Sequence, residues 1–356
     1  MKVGSPPQNG VYSGTFLGES PGVAWAASSR EQAPERSARE QRGPVHASAL
    51  NPREQHRRRR EPGPKKTELG AIKTLLESSR VTEGNTDRVD AGDPRALSDA
   101  QIDALAQQLI DASYAVIPGM VGLDRVERIR ATLARTYASL DAPPMFSKVP
   151  IWIGDNIEVS GTGLVMHKVL SFAPDLHRDV LDPDIVEVVR RALGHDMHLE
   201  FAGAVVSDYT RPFFKWHNHV GGIDDERYRR LGLRPPIESI QRVAMLVYLD
   251  EMGPDTGQLL IHPHRTSGAA PPPGDLHDPD WDGAVRVVGP PGTVVMIDQT
   301  TWHAALPRTV DRGPRYFFGL WFAASCAPKS ERVDESLNAI ESPSALLRSL
   351  LPARPQ

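Results

Sequence analysis

Three histidines and one arginine are the residues whose types and spacing best suit chemistry in this chain. His217 and His219 stand two residues apart, His303 follows far downstream, and Arg315 comes after it. Imidazole suits iron, zinc and copper, and non-haem iron sites use a small facial set of ligands with open positions. Arginine is always charged, and its planar fork fits a carboxylate. The pattern therefore predicts a mononuclear metal site that also holds a dicarboxylate.

The flanking residues separate this pattern from an ordinary pair of strand histidines. Trp216 precedes His217 and Trp302 precedes His303, a combination that favours a built site. Alternate residues of a strand point to the same face, so a strand over 214–219 would project both neighbouring histidines together. His262 and His264 end another predicted strand, where they suit a structural turn.

Many short β-strands must position these side chains. The strands are rich in Val, Ile, Phe and Tyr and are separated by Gly/Pro turns, which is typical of a sandwich or jelly roll. Helices are expected around the strands. One begins at a capping box of Ser98 and Gln101, and a second is capped by Asp124 with Glu127. Two more are predicted over 183–193 and 343–351. A short strand that ends in a turn is predicted over 114–119. The later predicted strands are 198–207, 214–219, 240–249, 258–262, 284–288, 293–298 and 315–323.

The ends of the chain differ from its centre. Residues 1–66 are rich in Gly, Pro, Ser, Gln and Arg, with twelve basic and six acidic side chains, and this composition cannot offset the entropy of ordering. We expect a disordered basic arm over 1–66, a short helix (67–80) and linker over 67–97, a jelly-roll domain over 98–328 and a helical tail over 329–356. The arginine run lacks interleaved aromatic residues, so nucleic-acid binding is not expected.

The bulk composition bounds the remaining possibilities. Hydrophobic residues make up 40% of 356, enough for a sizeable core. The single cysteine, Cys326, excludes an intramolecular disulfide and a CxxC motif. No apolar run is long enough for a transmembrane helix, and no signal peptide is evident. We therefore expect a cytoplasmic protein without a membrane partner.

Several segments, taken in order, resemble one enzyme family. From about residue 98 to 324 the chain is similar to the phytanoyl-CoA dioxygenase family of Fe(II)/2-oxoglutarate oxygenases. In that family the arginine matched by Arg315 pairs with the far carboxylate of 2-oxoglutarate, and the lysine matched by Lys168 assists. The matching segments are Tyr114–Gly119, Lys168–Phe172, Trp216-His217, Asp255–Leu259, Pro263-His264-Arg265, Gly292–His303 and Arg315.

The resemblance implies a fold, an activity and partners. The expected fold is mainly β with flanking helices, a double-stranded β-helix of the jelly-roll, cupin-like kind. The expected enzyme uses Fe(II), O2 and the co-substrate 2-oxoglutarate to hydroxylate or oxidise a small organic molecule, with release of succinate and CO2. Segments 145–167 and 222–236 are candidates to line the substrate pocket. A non-catalytic jelly-roll binding or scaffold protein is the alternative from a different class.

His219 departs from the family pattern, which has aspartate at this position. In one reading His217, His219 and His303 all bind iron. In a second, a carboxylate comes from elsewhere, with Asp224 at a spacing that resembles cupin metal sites. In a third, His219 is the first ligand and Gly221 leaves a vacancy, which resembles the iron halogenases.

Overall fold

The computed structural model describes residues 96–141, 143–219, 239–265, 272–328, 330 and 333–352. They lie within one compact unit, Gly92–Gln356. The arm predicted over 1–66 and the helix predicted over 67–80 lie outside the described residues, so the predicted domain division stays a prediction.

The described part of the chain contains twelve strands and five α-helices. Two 3-10 turns, Val169–Ser171 and Glu335–Ala339, complete the regular structure. The helices are α1 Asp99–Ala112, α2 Leu123–Ala138, α3 Leu176–Val180, α4 Pro183–Leu193 and α5 Ala345–Leu350. The strands are β1 Tyr114–Ile117, β2 Ile151–Ile153, β3 Ile157–Ser160, β4 Gly163–His167, β5 His198–Ser207, β6 Phe214–His217, β7 Arg242–Tyr248, β8 Leu259–Ile261, β9 Val285–Arg286, β10 Thr293–Asp298, β11 His303–Ala305 and β12 Arg315–Ala323.

The strands form two antiparallel sheets. The large sheet has the order β1-β10-β7-β12-β5-β4-β3-β2, and the small sheet has the order β6-β11-β8-β9. From β5 onward the pairing is nested, because β5 pairs with β12, β6 with β11, β7 with β10 and β8 with β9. This nested pairing is the topology of a double-stranded β-helix, and the predicted fold class is confirmed.

Strand β10 shows how the two faces of the large sheet are used. Val294 and Met296 pack into an outer core with the helices, whereas Val295 and Ile297 pack into an inner cluster between the sheets. Because both faces are covered, the strand is buried throughout. A strand buried on both sides reads as an unbroken apolar run.

The helices cover the outer face. Helix α1 begins at the predicted capping box of Ser98 and Gln101, and it buries Ile102, Ala106 and Leu109 at helical spacing. The second predicted cap is wrong, because Gly122 is the N-cap residue of α2 and no side chain caps it. Asp124 instead lies in the first turn, where a carboxylate is favourable near the helix N-terminus. None of the described helices is both long and apolar enough to cross a membrane.

Candidate metal centre and carboxylate-binding site

The small sheet places His217 and His303 side by side. The two residues are direct partners in the pairing of β6 with β11, and His303 is also paired with Ile261 of β8. Directly opposed residues project from the same face of a sheet. Ile261 belongs to the inner cluster, so both histidines project into the space between the sheets.

Strand β6 ends at His217, two residues short of the predicted 214–219, so His219 lies just beyond the strand. Its backbone N–H donates to the carbonyl of Gln299 at 2.6 Å, which holds the chain next to the segment before β11. The ring centroid of His219 lies 5.2 Å from that of His217 and 5.3 Å from that of His303. The ring centroids of His217 and His303 lie 4.2 Å apart. The structure therefore brings all three predicted histidines together.

The ligand atoms of these three side chains are close enough for one ion. One nitrogen from each lies within 4.8 Å of the others, and no other group of three or more His, Cys, Asp or Glu side chains in the described ranges meets that criterion. Distances of this size between ligand atoms suit a set that surrounds a single ion. We call these three residues the histidine cluster.

Backbone carbonyls fix the orientation of two of the rings. His217 Nδ1 lies 2.9 Å from the carbonyl oxygen of Lys215, and His303 Nδ1 lies 2.9 Å from that of Thr301. A carbonyl only accepts, so each Nδ1 carries the proton and each Nε2 lone pair is left for a ligand. Metal-binding histidines in proteins are held in this way.

Burial keeps the same rings neutral. Burial, and then the neighbouring rings of His303 and His219, hold the pKa of His217 well below its ordinary value. Burial also lowers the pKa of His303. Only the neutral form of imidazole binds a metal, so the site is prepared for a cation rather than a proton.

The tryptophans of the two motifs lie on the opposite face of the small sheet. Trp216 stacks on Trp281 with ring centroids 4.3 Å apart, and Trp302 meets Trp281 edge-on at 5.7 Å. Since neighbouring residues of a strand point to opposite faces, this apolar packing outside the sheet supports the inward direction of His217 and His303.

Arg315 opens β12 and is 6% exposed. Its Nη1 donates to the carbonyl of Gly257, while Nε and Nη2 are buried and find no hydrogen-bond partner in the described part of the chain. Its guanidinium lies 5.1 Å from the centroid of the Tyr248 ring, and burial lowers its pKa. Gly257 has φ +80°, and a Cβ there would lie 2.9 Å from the carbonyl oxygen of Leu306. The turn therefore requires glycine in order to seat the arginine.

A second buried arginine, Arg211, was not predicted from the sequence. Its Nη2 donates to the carbonyl of Leu306 at 2.6 Å. Burial, and then the charge of Arg315, lower the pKa of Arg211 to about 10. Neither guanidinium forms an ion pair with a carboxylate of the described residues. Two neighbouring buried cations without such a partner favour an anionic ligand.

The other candidates take different positions. Lys168 follows β4, where His167 is paired with Gly203, whereas Arg315 is paired with Ser207 at the far end of β5. Burial raises the pKa of Asp334, and the charge of Lys168 is among the smaller effects that oppose this rise. Lys168 is therefore not grouped with Arg315.

Two alternative positions for the third ligand were predicted, and both stay predictions. Gly221 and Asp224 lie outside the described residues. Two other arginines lie between His303 and Arg315 in the sequence. Arg308 donates to the carbonyl of Gly313 at 2.5 Å, and Arg312 is exposed. The structural role predicted for the turn after β8 is consistent with Arg265, which pairs with Asp298 at 2.8 Å.

Comparison with known proteins decides the family. The model of the phytanoyl-CoA dioxygenase family matches residues 112–315. This chain belongs to the phytanoyl-CoA dioxygenase family. The predicted membership is confirmed, and with it the class of non-haem iron, 2-oxoglutarate-dependent oxygenases. The matched segment runs from the last residue of α1 to Arg315, and it contains all three histidines.

Solved structures with similar folds include AviO1, HygX and EctD. AviO1 from Streptomyces viridochromogenes is 17% identical, with 66% of this chain and 100% of that chain covered and a TM-score of 0.48. HygX from Streptomyces hygroscopicus, solved with nickel and 2-oxoglutarate, is 16% identical, with 65% and 88% covered and a TM-score of 0.47. EctD from S. alaskensis is 18% identical, with 67% and 80% covered and a TM-score of 0.47. No curated protein matches this chain.

Proposed function

We propose that the histidine cluster of this family member holds Fe(II) and that Arg315 holds the distal carboxylate of 2-oxoglutarate. The reaction is the oxidation of a small organic molecule by O2, with release of succinate and CO2. The observation that carries the proposal is the convergence of three imidazole ligand atoms within 4.8 Å in a jelly roll that also buries an arginine with two unpaired nitrogens.

The histidine cluster fits iron by the chemistry of its donors. Neutral imidazole nitrogens suit divalent iron, and two of the three rings are already oriented by backbone carbonyls. With His219 in place of the family's aspartate, all three protein ligands are neutral. A bound 2-oxoglutarate dianion then supplies the negative charge that balances the cation.

Arg315 fits a carboxylate by its unpaired nitrogens. Nε and Nη2 together form one edge of the guanidinium, and that edge can donate two parallel hydrogen bonds to a carboxylate. The buried donors cost free energy until a ligand accepts from them. After burial, the charge of Arg315 is the next cause of the lowered pKa of Arg211, so the two guanidinium groups are neighbours. Arg211 therefore adds to the positive potential at this end of the inner space.

The protein's part in the reaction is to position groups and exclude water. When bound, iron and 2-oxoglutarate supply the activation of O2. The histidine cluster would hold the iron at one end of the co-substrate, and Arg315 would hold the carboxylate at the other end. The inner apolar cluster lies between the sheets, with Leu246, Ile261 and Ile297 among its members. These walls keep solvent from the reacting atoms.

An anaerobic titration tests the proposal directly. Fe(II) is added to the purified full-length protein, 2-oxoglutarate follows, and the visible charge-transfer band of the chelate is recorded together with bound iron. We expect one iron per chain and a band that requires both additions. Iron binding without the band would refute the role of 2-oxoglutarate, and no iron binding would indicate the non-catalytic alternative.

Other sequence predictions remain proposals of the same kind. Lys168 was expected to assist with 2-oxoglutarate, and Lys168→Ala compared with Arg315→Leu in the same titration tests that role. A cytoplasmic location is supported by the single, exposed Cys326. The basic arm predicted over 1–66 is expected to be dispensable, so its deletion should leave iron binding and the unfolding temperature unchanged.

A further inference from the structure

Strands β2, β3 and β4 extend the large sheet beyond the nested strands and bring side chains with no role in the iron site. Trp152 of β2 is paired with Glu158 of β3, and His167 of β4 is paired with Gly203 of β5. The neighbours Ile157 and Val159 pack in the outer core. Because side chains alternate along a strand, Trp152, Glu158 and His167 lie on the inner face.

Four rings form a continuous row on this inner face. Trp152 stacks on His167 with centroids 5.3 Å apart and planes inclined by 22°. His167 lies 5.9 Å from Phe201, and Phe201 meets Trp321 edge-on at 5.2 Å. We call these four side chains the aromatic row. Trp321 also packs against the inner apolar cluster that contains Ile261. Ile261 is the strand partner of His303.

Two glycines allow the rings to lie flat on the sheet. Gly203 and Gly319 are direct partners across β5 and β12. A Cβ on Gly203 would lie 2.9 Å from Phe201 Cε1, and one on Gly319 would lie 2.5 Å from Trp321 Cη2. Any other residue at Gly319 would displace the indole. The sequence therefore builds the aromatic row into the sheet rather than adding it at a loop.

A buried carboxylate lies beside the row. Glu158 Oε2 and His167 Nε2 are 3.1 Å apart, and the side chains are 5% and 26% exposed. When His167 donates to Glu158 through Nε2, its Nδ1 presents a lone pair. A carboxylate and an imidazole Nδ1 are both acceptors in this arrangement. The pair therefore suits a partner that donates hydrogen bonds.

We propose that the aromatic row and the Glu158–His167 pair form the substrate-recognition site, and that it takes a ring-bearing small molecule with an amino or hydroxyl group. The ring packs on Trp152, which is 52% exposed despite its size. The donor group binds at the acceptor pair. The inference rests on the proposed function, because it supplies the substrate class for the same iron site.

The charges inside the jelly roll agree with this division. Two buried arginines lie at the Ser207 end of β5, whereas Glu158 lies on the added strands. A dicarboxylate is attracted by the arginines and repelled by Glu158. An amine has the opposite preference, so the two ligands are sorted by charge.

Three simple probes test the recognition site. Phenethylamine, 2-phenylethanol and phenylacetate share a ring and differ only in their polar group. Binding to the full-length protein is followed by tryptophan fluorescence without metal, and by the change in the visible band of the anaerobic Fe(II)–2-oxoglutarate complex. We expect the amine and the alcohol to bind at least about tenfold more tightly than phenylacetate.

Two variants with matched controls assign the contacts. Glu158→Gln keeps an acceptor for His167 but removes the charge, so amine affinity should fall about tenfold while alcohol affinity changes little. Glu127→Gln, on the exposed face of α2, is its control. Trp152→Ala removes half-exposed ring surface and should weaken the binding of phenethylamine and of 2-phenylethanol. The exposed aromatic control Phe172→Ala should weaken the binding of neither.

Several outcomes would overturn the assignment. They are failure of all three probes to bind at millimolar concentration, equal binding of phenylacetate and phenethylamine, and an equal effect of Trp152→Ala and Phe172→Ala. If Glu158→Gln does not fold, the Trp152 comparison still decides. Probe binding by fluorescence without a chelate band would uphold the recognition site and refute the iron site. A chelate band without probe binding would do the reverse.

Discussion

Replacement of Arg315 by leucine should remove most of the affinity for 2-oxoglutarate and leave iron in place. Nε and Nη2 have no hydrogen-bond partner among the described residues, so a bound carboxylate gains two charge-assisted hydrogen bonds. Hydrogen bonds to charged groups contribute about 1.5–3 kcal/mol each. Loss of both therefore costs roughly 3–6 kcal/mol, which corresponds to a factor of about a hundred to twenty thousand in Kd.

The assay is the anaerobic titration with 2-oxoglutarate at saturating Fe(II), with the iron content measured separately. Arg312→Leu is the control, because Arg312 is exposed in the same connection. Arg315→Lys should give an intermediate Kd, since it keeps the charge but not the planar fork. The reasoning is refuted if Arg315→Leu changes the Kd less than about tenfold, or if Arg308→Leu has the larger effect.

Three further perturbations test the site and its support. His219→Ala should strip most of the iron measured in the purified protein, and His219→Asp should restore it; full iron in His219→Ala would rule out this ligand. Burial raises the pKa of Asp298, so protonation of this carboxylate favours the folded state as pH falls. Arg265→Leu leaves the buried carboxylate without its ion-pair partner, which should cost about 3 kcal/mol of stability at pH 7 and less near pH 5. A loss of unfolding temperature that does not depend on pH would contradict this. Gly319→Ala should lower stability by about 1–3 kcal/mol through overpacking, while Gly253→Ala, with open space around its Cβ, should not; equal unfolding temperatures would contradict the clash.

The histidine cluster was predictable because its residues carry local signals. Tryptophan before His217 and His303, together with strands that read as apolar runs, predicts a jelly roll that carries these residues. The position of His219 was less predictable. The strand ends at His217, and a backbone hydrogen bond to Gln299, rather than strand alternation, sets the place of His219.

Other functional side chains carry no signal in the sequence. Arg211 stands in a polar turn after β5 and reads as an exposed residue, although only 4% of its surface is accessible. Glu158 and His167 are separated by a hairpin and become partners only when β3 and β4 pair in register. Strands β2 to β4 were not predicted at all, although segment 145–167 was a candidate to line the pocket. Long-range pairing decides such positions.

The nested order of the strands has a consequence for biosynthesis. His217 and His303 meet only when β6 pairs with β11, and β5 closes only against β12, which ends at Ala323. Pairings between distant segments carry a large loop-closure cost and form slowly. A nascent chain therefore has no complete ligand set until most of its length has left the ribosome, so stoichiometric iron in the purified protein also reports a completely folded jelly roll.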